Sequence, residues 1–167
     1  MNVAFLCLGG NIGERLAFIN EAKHLIKRFC GEIELESNIY ETQAWGNDEA
    51  PDYYNQCIKL KTKWEAEELL VKLLMIEKEM GRERTKFKNE SRPIDLDILL
   101  FNETCINTKA CEIPHPRMHL RLFVLKPLNE IAGHEIHPLF KQSITELLIN
   151  CSDTLEVKKL SPNVHLC

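Results

Sequence analysis

The sequence has no long apolar segment and no excess of basic residues. A membrane-spanning helix needs about 18 consecutive apolar residues, and no stretch of this chain approaches that length. The 21 lysine and arginine residues are outnumbered by 25 acidic residues, which gives a net charge of −4. A general nucleic-acid binder carries the opposite balance. We therefore expect no membrane span and no nucleic-acid partner.

Cysteine pairs with redox or metal-binding spacing are also missing. The seven cysteines are scattered, and no two of them have C-x-x-C spacing. An odd number of cysteines without such pairs is typical of reduced thiols in the cytosol. The apolar start of the chain lacks a basic leader and ends at Gly9-Gly10-Asn11, so it predicts a strand rather than a signal peptide. These features predict a cytoplasmic protein, and the length predicts one domain over residues 1–167.

The common signatures of phosphate and acyl chemistry do not occur. The chain has no G-x-x-x-x-G-K-[ST] loop, no G-x-S-x-G motif and no protein-kinase signature set. No histidine and cysteine cluster has the spacing of zinc ligands. Any phosphate transfer by this chain therefore requires a different scaffold.

The order of the apolar patterns predicts an α+β fold. Alternating strands are expected at 3–8, 32–41, 52–63 and 92–101, and helices with 3.6-residue spacing at 14–29 and 65–80. The order β-α-β-β-α-β is the ferredoxin-like arrangement, a mainly antiparallel sheet flanked by helices. With helices on one face, the other face is expected to be free for a cleft. An additional strand at 122–125 and a helix at 143–150 are expected after this core.

One strand carries two acids on one face. Every second residue from 94 to 100 is apolar, which leaves Asp95 and Asp97 together on the other face, about 6.6 Å apart. Two carboxylates at that spacing repel by about 2.5 kcal/mol at an effective dielectric near 20. A solvated strand face is the alternative interpretation, but Leu99 and Phe101 continue the acid-bearing face. The pattern therefore favours one or two divalent cations between the carboxylates.

Basic segments flank this strand on both sides. Five basic side chains lie between 82 and 92, and Arg117 and Arg121 follow the strand together with two histidines. A solvated charged loop is the alternative interpretation of either segment. Next to an acid pair, however, such segments indicate a polyphosphate bridged to a metal. Mg²⁺ fits best because it prefers carboxylate, water and phosphate oxygens.

Three residues are candidates for a flat pocket with one polar edge, Tyr53, Asn55 and Phe123. An aromatic ring can stack on a heteroaromatic ligand, and an asparagine amide can bind its ring nitrogens and carbonyls. Isolated aromatic residues are more often part of the core, and that interpretation stays open from the pattern alone.

Several motifs together resemble one known family, the 6-hydroxymethyl-7,8-dihydropterin pyrophosphokinases, over residues 8–128. The motifs are Leu8-Gly9-Gly10-Asn11, Tyr40-Glu41-Thr42, Pro51-Asp52-Tyr53-Tyr54-Asn55, Gly81-Arg82-Glu83-Arg84, Arg92-Pro93-Ile94-Asp95-Leu96-Asp97, Ile113-Pro114-His115-Pro116-Arg117 and Arg121-Leu122-Phe123. The combination is specific, whereas each piece alone is not.

The resemblance implies a ferredoxin-like enzyme of folate synthesis that transfers pyrophosphate from ATP to the pterin hydroxymethyl group and releases AMP. It implies Asp95 and Asp97 as ligands of two Mg²⁺ ions. The implied residues of the transfer step are Arg82, Arg92 and Arg121. The implied ATP-binding residues are Glu77, Arg84, Ile98 and His115. The implied pterin-binding residues are Thr42, Trp45, Tyr53, Asn55 and Phe123.

Two other functions stay open from the sequence. One is a different two-metal, Mg²⁺-dependent phosphotransferase on the same scaffold. The other is a non-catalytic module, because ferredoxin-like sheets also bind RNA, although no K/R-G-F/Y-G/A-F-V-x-F/Y run occurs here. The expected partners are the small molecules ATP and hydroxymethyl dihydropterin, and the expected state is a monomer.

Overall fold

The computed structural model describes residues 1–43, 49–81 and 92–161. Its strands are β1 (Asn2–Gly10), β2 (Glu32–Glu36), β3 (Tyr40–Thr42), β4 (Tyr53–Thr62), β5 (Asp95–Phe101), β6 (Ile106–Asn107), β7 (Glu112–Ile113) and β8 (Val157–Lys159). Its helices are α1 (Arg15–Phe29), α2 (Ala66–Glu79), α3 (Leu122–Ala132) and α4 (Ile144–Ile149), with a 3₁₀ turn at Met118–Leu120.

The main sheet is antiparallel at every pairing. Its order is β5-β1-β4-β3-β8, and β2 also pairs with β4, while β6 and β7 form a separate hairpin. The predicted β-α-β-β-α-β order and the ferredoxin-like, mainly antiparallel sheet are therefore confirmed. Among the described residues, no helix is long and apolar enough to cross a membrane.

The two long helices pack on one face of the sheet because their apolar residues repeat every three or four positions. Ile19, Ala22 and Ile26 of α1 are buried with Leu69 and Leu73 of α2 against the strands. A reciprocal capping box starts α2. The Glu65 side chain accepts a hydrogen bond from the backbone N–H of Glu68, and the Glu68 side chain accepts one from the backbone N–H of Glu65. The predicted helices therefore form within one or two residues of their expected ends.

The other face of the sheet is only partly free, so the expectation of an open face is wrong for half of it. Val124, Leu125 and Leu128 of α3 are buried there against Phe5 and Cys57 of the sheet. The segment 122–125, expected as a strand, is the first turn of this helix. Its first amide is bound from outside, since Leu122 N donates to Asp153 Oδ2 at 2.9 Å.

The predicted strand at 32–41 is interrupted between β2 and β3. Ser37 lies at the interruption, where Cys57 N donates to Ser37 Oγ at 2.9 Å. Gln56 Nε2 also donates to Ser37 O at 2.7 Å. The Ser37 hydroxyl thus replaces a backbone carbonyl as the acceptor for Cys57 N. The chain between β2 and β3 can therefore bend while the buried polar groups of β4 keep their hydrogen bonds.

A register shift in β5 changes which apolar residues face each layer. Leu6 pairs with Ile98 but Phe5 pairs with Leu100, so one extra residue is accommodated between them. Leu100 therefore packs on the α3 side and Phe101 on the side of α1 and α2, the reverse of the expectation. The acids precede this shift, and their predicted common face is retained.

Candidate active site

One pocket opens on the uncovered half of the second face, where β1, β3, β4 and β5 meet the start of α3. It encloses about 670 Å³, including its mouth, which lies in the range of small-molecule sites. Eight residues predicted for the site line it: Thr42, Tyr53, Asn55, Arg92, Asp95, Asp97, Arg121 and Phe123. Sequence reasoning missed four other lining residues: Cys7, Gly9, Gln43 and Val124.

The acid pair forms one side of this pocket. Cys7 and Gly9 of β1 are the ladder partners of Asp97 and Asp95, so both carboxylates project beside the central strand. Burial, together with the negative charges of Asp95 and Glu77, raises the pKa of Asp97 to about 7, although Arg92 and Arg121 act in the opposite direction. The two arginines therefore do not fully offset the negative charge around Asp97. A pair of carboxylates in such surroundings supplies oxygen donors that suit a divalent cation.

The acid pair alone does not complete a metal site. Within residues 1–43, 49–81 and 92–161, no group of three or more histidine, cysteine, aspartate or glutamate residues is arranged to hold a metal ion. Mg²⁺ commonly completes its octahedral shell with water and substrate phosphate oxygens. The residues present therefore fit a cation that binds together with a phosphate ligand.

Two arginines border the acids. Arg92 Nε lies 3.5 Å from Asp95 Oδ2, and its guanidinium carbon lies 6.0 Å from the centre of the Tyr53 ring. The guanidinium carbon of Arg121 lies 5.5 Å from the centre of the Phe123 ring. Burial and the nearby charge of Arg117 lower the pKa of Arg121, which is nevertheless a cation at neutral pH. The pocket thus holds two planar guanidinium cations together with the acid pair.

The opposite side of the pocket combines aromatic rings with buried polar atoms. Thr42 and Tyr53 are ladder partners on β3 and β4, and Phe123 lies on the first turn of α3. Asn55 is 4% exposed and Thr42 is 2% exposed. Among the described residues, Asn55 Nδ2 and Thr42 Oγ1 find no hydrogen-bond partner. Buried polar atoms of this kind are costly unless a ligand binds them, so this side suits a heteroaromatic ring.

Asn11, which the sequence pattern indicates only as a strand stop, fixes the backbone of Arg92. Asn11 N donates to Arg92 O at 3.0 Å, and Arg92 N donates to Asn11 Oδ1 at 2.9 Å. Asn11 Nδ2 also donates to Pro51 O at 3.0 Å. One side chain therefore joins the end of β1 to both segments that lead into the pocket. Local sequence pattern carries no signal of this role, because Arg92 lies 81 positions further along the chain.

Three residues that are predicted to bind ATP lie outside the lining of the pocket: Glu77, Ile98 and His115. Glu77 of α2 is buried, and its Oε1 accepts a hydrogen bond from Leu96 N of β5 at 2.8 Å. The side chain of Ile98 is buried in the core with α1 and α2. Only its backbone is thus available at the sheet edge. No observation tests these assignments, which stay predictions.

His115 follows the cis peptide bond Ile113-Pro114 and is tied to β5 through His115 N and Leu99 O, 2.9 Å apart. Arg117 N donates to His115 Nδ1 at 3.1 Å, so in the neutral ring Nε2 carries the proton. Burial and the charges of Arg121 and Arg117 lower the pKa of His115 to about 4. His115 is therefore a neutral hydrogen-bond donor near neutral pH.

The remaining predicted site residues, Trp45, Arg82 and Arg84, lie outside the described residues.

Comparison with known proteins gives one consistent family. Residues 5–133 match the family described as 7,8-dihydro-6-hydroxymethylpterin-pyrophosphokinase (HPPK). The chain is 39% identical over 146 residues to 2-amino-4-hydroxy-6-hydroxymethyldihydropteridine pyrophosphokinase of Aquifex aeolicus, covering 87% of this chain and 90% of that one. It is 40% identical over 131 residues to the protein of the same name from Bacillus subtilis, covering 78% of each.

A solved structure extends the comparison to three dimensions. The triple mutant of Plasmodium falciparum HPPK-DHPS superposes with a TM-score of 0.72 at 17% identity. The match covers 89% of this chain and 43% of that one, so this chain corresponds to less than half of the two-part protein. The likeness concerns the fold.

Proposed function

The chain belongs to the HPPK family, and we propose that the pocket between β3, β4, β5 and α3 is the site at which it transfers pyrophosphate from ATP to 6-hydroxymethyl-7,8-dihydropterin. It is an ATP-dependent pyrophosphokinase of folate biosynthesis, and ATP is its co-substrate. One observation carries the assignment of the site. A single pocket joins the acid pair and two arginines to a flat, partly polar wall with unsatisfied buried atoms.

Asp95 and Asp97 would hold two Mg²⁺ ions, since they supply hard oxygen donors and lie in one pocket with Arg92 and Arg121. When bound, Mg²⁺ would supply positive charge to the triphosphate oxygens and complete its shell with them. Bound Mg²⁺ would relieve the mutual repulsion of the two carboxylates, and this relief would favour binding of the metal.

Arg92 and Arg121 would bind phosphate oxygens during transfer. A guanidinium presents a planar fork of N–H donors that matches phosphate geometry, and it keeps its charge at all working pH values. Arg82 is assigned to the same step and Arg84 to ATP binding through the family motif. Asn11 fixes the backbone of Arg92, and Asp95 lies 3.5 Å from its guanidinium Nε, so the fork would need little reorganisation when charge develops on the phosphates.

Thr42, Tyr53, Asn55 and Phe123 would bind the pterin, with Trp45 added from the family motif. The buried Asn55 amide and Thr42 hydroxyl would bind polar edge atoms of the ring system, and Phe123 would stack on it. This orientation would direct the hydroxymethyl oxygen toward the acid pair. Holding both reactants in one pocket supplies rate acceleration through positioning.

Glu77, Ile98 and His115 are proposed for the ATP side. Glu77 fixes the backbone of β5 between the two acids, and the backbone of Ile98 lies on the same edge strand. His115 would donate from Nε2 to a phosphate oxygen as a neutral group. Three parts of the chain would then contact one nucleotide.

Product analysis tests the reaction directly. Purified protein is incubated with ATP, Mg²⁺ and the hydroxymethyl pterin, and nucleotides are separated by chromatography. The expected result is AMP in equal amount to pyrophosphorylated pterin, with neither formed when the pterin is omitted. Formation of ADP would indicate an ordinary kinase and would overturn the assignment.

We also propose that residues 1–167 act as one monomeric domain in the cytoplasm, without a nucleic-acid partner. Free thiols support the compartment, because the six cysteines of the described part of the chain are all unpaired. The acidic balance of the chain supports the lack of a nucleic-acid partner. Gel filtration tests the monomeric state, and a single-stranded RNA binding assay tests the lack of a nucleic-acid partner.

A further inference from the structure

Glu130 of α3 joins the helix to the strand next to the pocket. Its carboxylate accepts hydrogen bonds from Asn38 N at 2.8 Å, from Asn38 Nδ2 at 3.0 Å and from Tyr40 Oη. Lys159 Nζ of β8 lies 3.5 Å from the same carboxylate. One side chain thus holds the turn before β3, the first residue of β3 and the strand beyond it.

The residues that Glu130 contacts lie next to the wall formed by Thr42, Tyr53 and Asn55. Tyr40 pairs with Asn55 on β4 and with Lys159 on β8. Thr42, on the same strand as Tyr40, pairs with Tyr53. The strand that Glu130 holds therefore carries one residue of the polar wall and lies directly beside two others.

The same helix supplies the facing wall. Phe123 and Glu130 are about two turns apart on α3, so they lie along one side of the helix. Phe123 lines the pocket, and Glu130 contacts β3. Glu130 thus attaches to β3 the same helix that presents the Phe123 ring to the pocket.

The charges reinforce this attachment. Burial disfavours the ionised form of Glu130, but hydrogen bonds from Tyr40 and Asn38 and the charge of Lys159 outweigh it and lower the pKa. Burial and the hydrogen bond to Glu130 raise the pKa of Tyr40, so the phenol stays a donor. Hydrogen bonds to an ionised acceptor are among the stronger ones in proteins.

We propose that Glu130 is a positioning residue for the pterin, which sets the gap between Phe123 and the wall formed by Thr42, Tyr53 and Asn55. It contacts neither substrate and acts through Tyr40 and α3. This inference rests on the proposed function of the pocket. It separates Glu130 from the ATP side, because none of its hydrogen-bond or ion-pair partners in the described part of the chain lies on β5.

The test compares Glu130→Gln and Tyr40→Phe with the unmodified chain. Glutamine keeps the shape but loses the charge, and phenylalanine removes only the donated hydroxyl. We expect each change to raise the KM for the pterin about tenfold. The KM for ATP should stay within about twofold, and kcat should fall little, because loss of ground-state positioning appears mainly in KM. The double variant should be no worse than the single ones, because the residues act as a unit.

Glu36→Gln is the matched control. Glu36 of β2 accepts from Lys23 Nζ of α1 at 2.7 Å and pairs with Lys27 at 3.8 Å, so it also links a helix to a strand by a charged contact. It lies outside the pocket lining. We expect this change to lower the melting temperature modestly without a selective effect on the pterin KM.

The outcomes distinguish the inference from the function on which it rests. If the unmodified chain forms pterin-dependent AMP and both variants keep a normal pterin KM, the positioning role of Glu130 is wrong and the proposed function stands. Equal increases of both KM values, as for general loosening, would also overturn the positioning role. If the unmodified chain forms no pterin-dependent AMP, the proposed function itself fails. Tyr40→Phe decides the matter if Glu130→Gln does not fold.

Discussion

Gly9 of β1 and Asn55 of β4 are ladder partners, and a Cβ atom at position 9 would lie 2.2 Å from Asn55 Oδ1. The missing side chain at position 9 is therefore what allows the Asn55 amide to lie over the strand and into the pocket. Close approach of this kind is a specific use of glycine within a strand.

Replacing Gly9 by alanine should displace the Asn55 amide rather than unfold the sheet, because a side chain can move more easily than the neighbouring backbone. We expect Gly9→Ala to raise the pterin KM about tenfold, the loss typical of one or two good hydrogen bonds. Steady-state kinetics with the pterin as the varied substrate measure it. Gly133→Ala is the control, since its Cβ would meet Thr145 Oγ1 at 2.9 Å, outside the pocket. An unchanged pterin KM in Gly9→Ala would contradict the role of Asn55.

Asp97→Asn should abolish turnover and leave the fold intact or more stable. The substitution keeps the shape, removes a proposed metal ligand and relieves the repulsion that Asp95 and Glu77 impose on this carboxylate. AMP release and thermal unfolding without added metal are the two measurements. Glu103→Gln, at an exposed position just after β5, is the control. Near-normal turnover in Mg²⁺ would show that Asp97 is not a metal ligand.

Arg92→Lys should lower kcat about a hundredfold although the charge is kept. A lysine lacks the planar fork, and its ammonium would not reproduce two parallel bonds to a phosphate. The fold should persist because Asn11 binds the backbone of residue 92 rather than its side chain. Single-turnover kinetics measure the change, with Arg28→Lys on α1 as the control. If kcat is unchanged, the guanidinium has a structural role only.

The contribution of His137 to stability should fall as the pH is lowered from about 6.5 to about 4, whereas the raised pKa of Asp97 gives a contribution of the opposite sign. Burial, followed by the charge of His119, lowers the pKa of His137 to about 4 from its usual 6.5. In this window His137 binds more protons in the unfolded chain than in the folded one, so its contribution to folding stability rises with pH, is fully present above pH 6.5 and is lost toward pH 4. The effect amounts to about 3 kcal/mol at most, since one pKa unit corresponds to about 1.36 kcal/mol.

His137→Asn tests this pH dependence, because the asparagine oxygen can accept the bonds that Leu139 N and Phe140 N donate to His137 Nδ1. Urea unfolding at several pH values should give a shallower slope for this variant. His115 shares the same direction of shift, so part of the slope should remain. His134→Asn, at an exposed position, is the matched control. A slope equal to that of the unmodified chain would rule out His137 as a contributor.

The parts of the fold that follow from local periodicity could be predicted from the sequence. Alternation along β1 and β4 and the 3.6-residue spacing of α1 and α2 each depend on neighbours a few positions away. The common face of Asp95 and Asp97 follows in the same way, because the register shift of β5 comes after them.

The features that the sequence did not reveal depend on contacts between distant residues. The helix α3 begins with Leu122 to Leu125, residues that also suit a strand, and its first turn is fixed by Asp153 from about thirty positions away. The interruption at Ser37 depends on Cys57, and the role of Asn11 depends on Arg92. Local pattern carries no information on such pairs.

A crystal structure with Mg²⁺, a non-hydrolysable ATP analogue and the hydroxymethyl pterin is the most direct test of the account. We predict metal density bridging the carboxylates of Asp95 and Asp97 to phosphate oxygens, and the pterin between Phe123 and Asn55. Carboxylates turned away from the nucleotide, or a pterin bound elsewhere on the sheet, would contradict it.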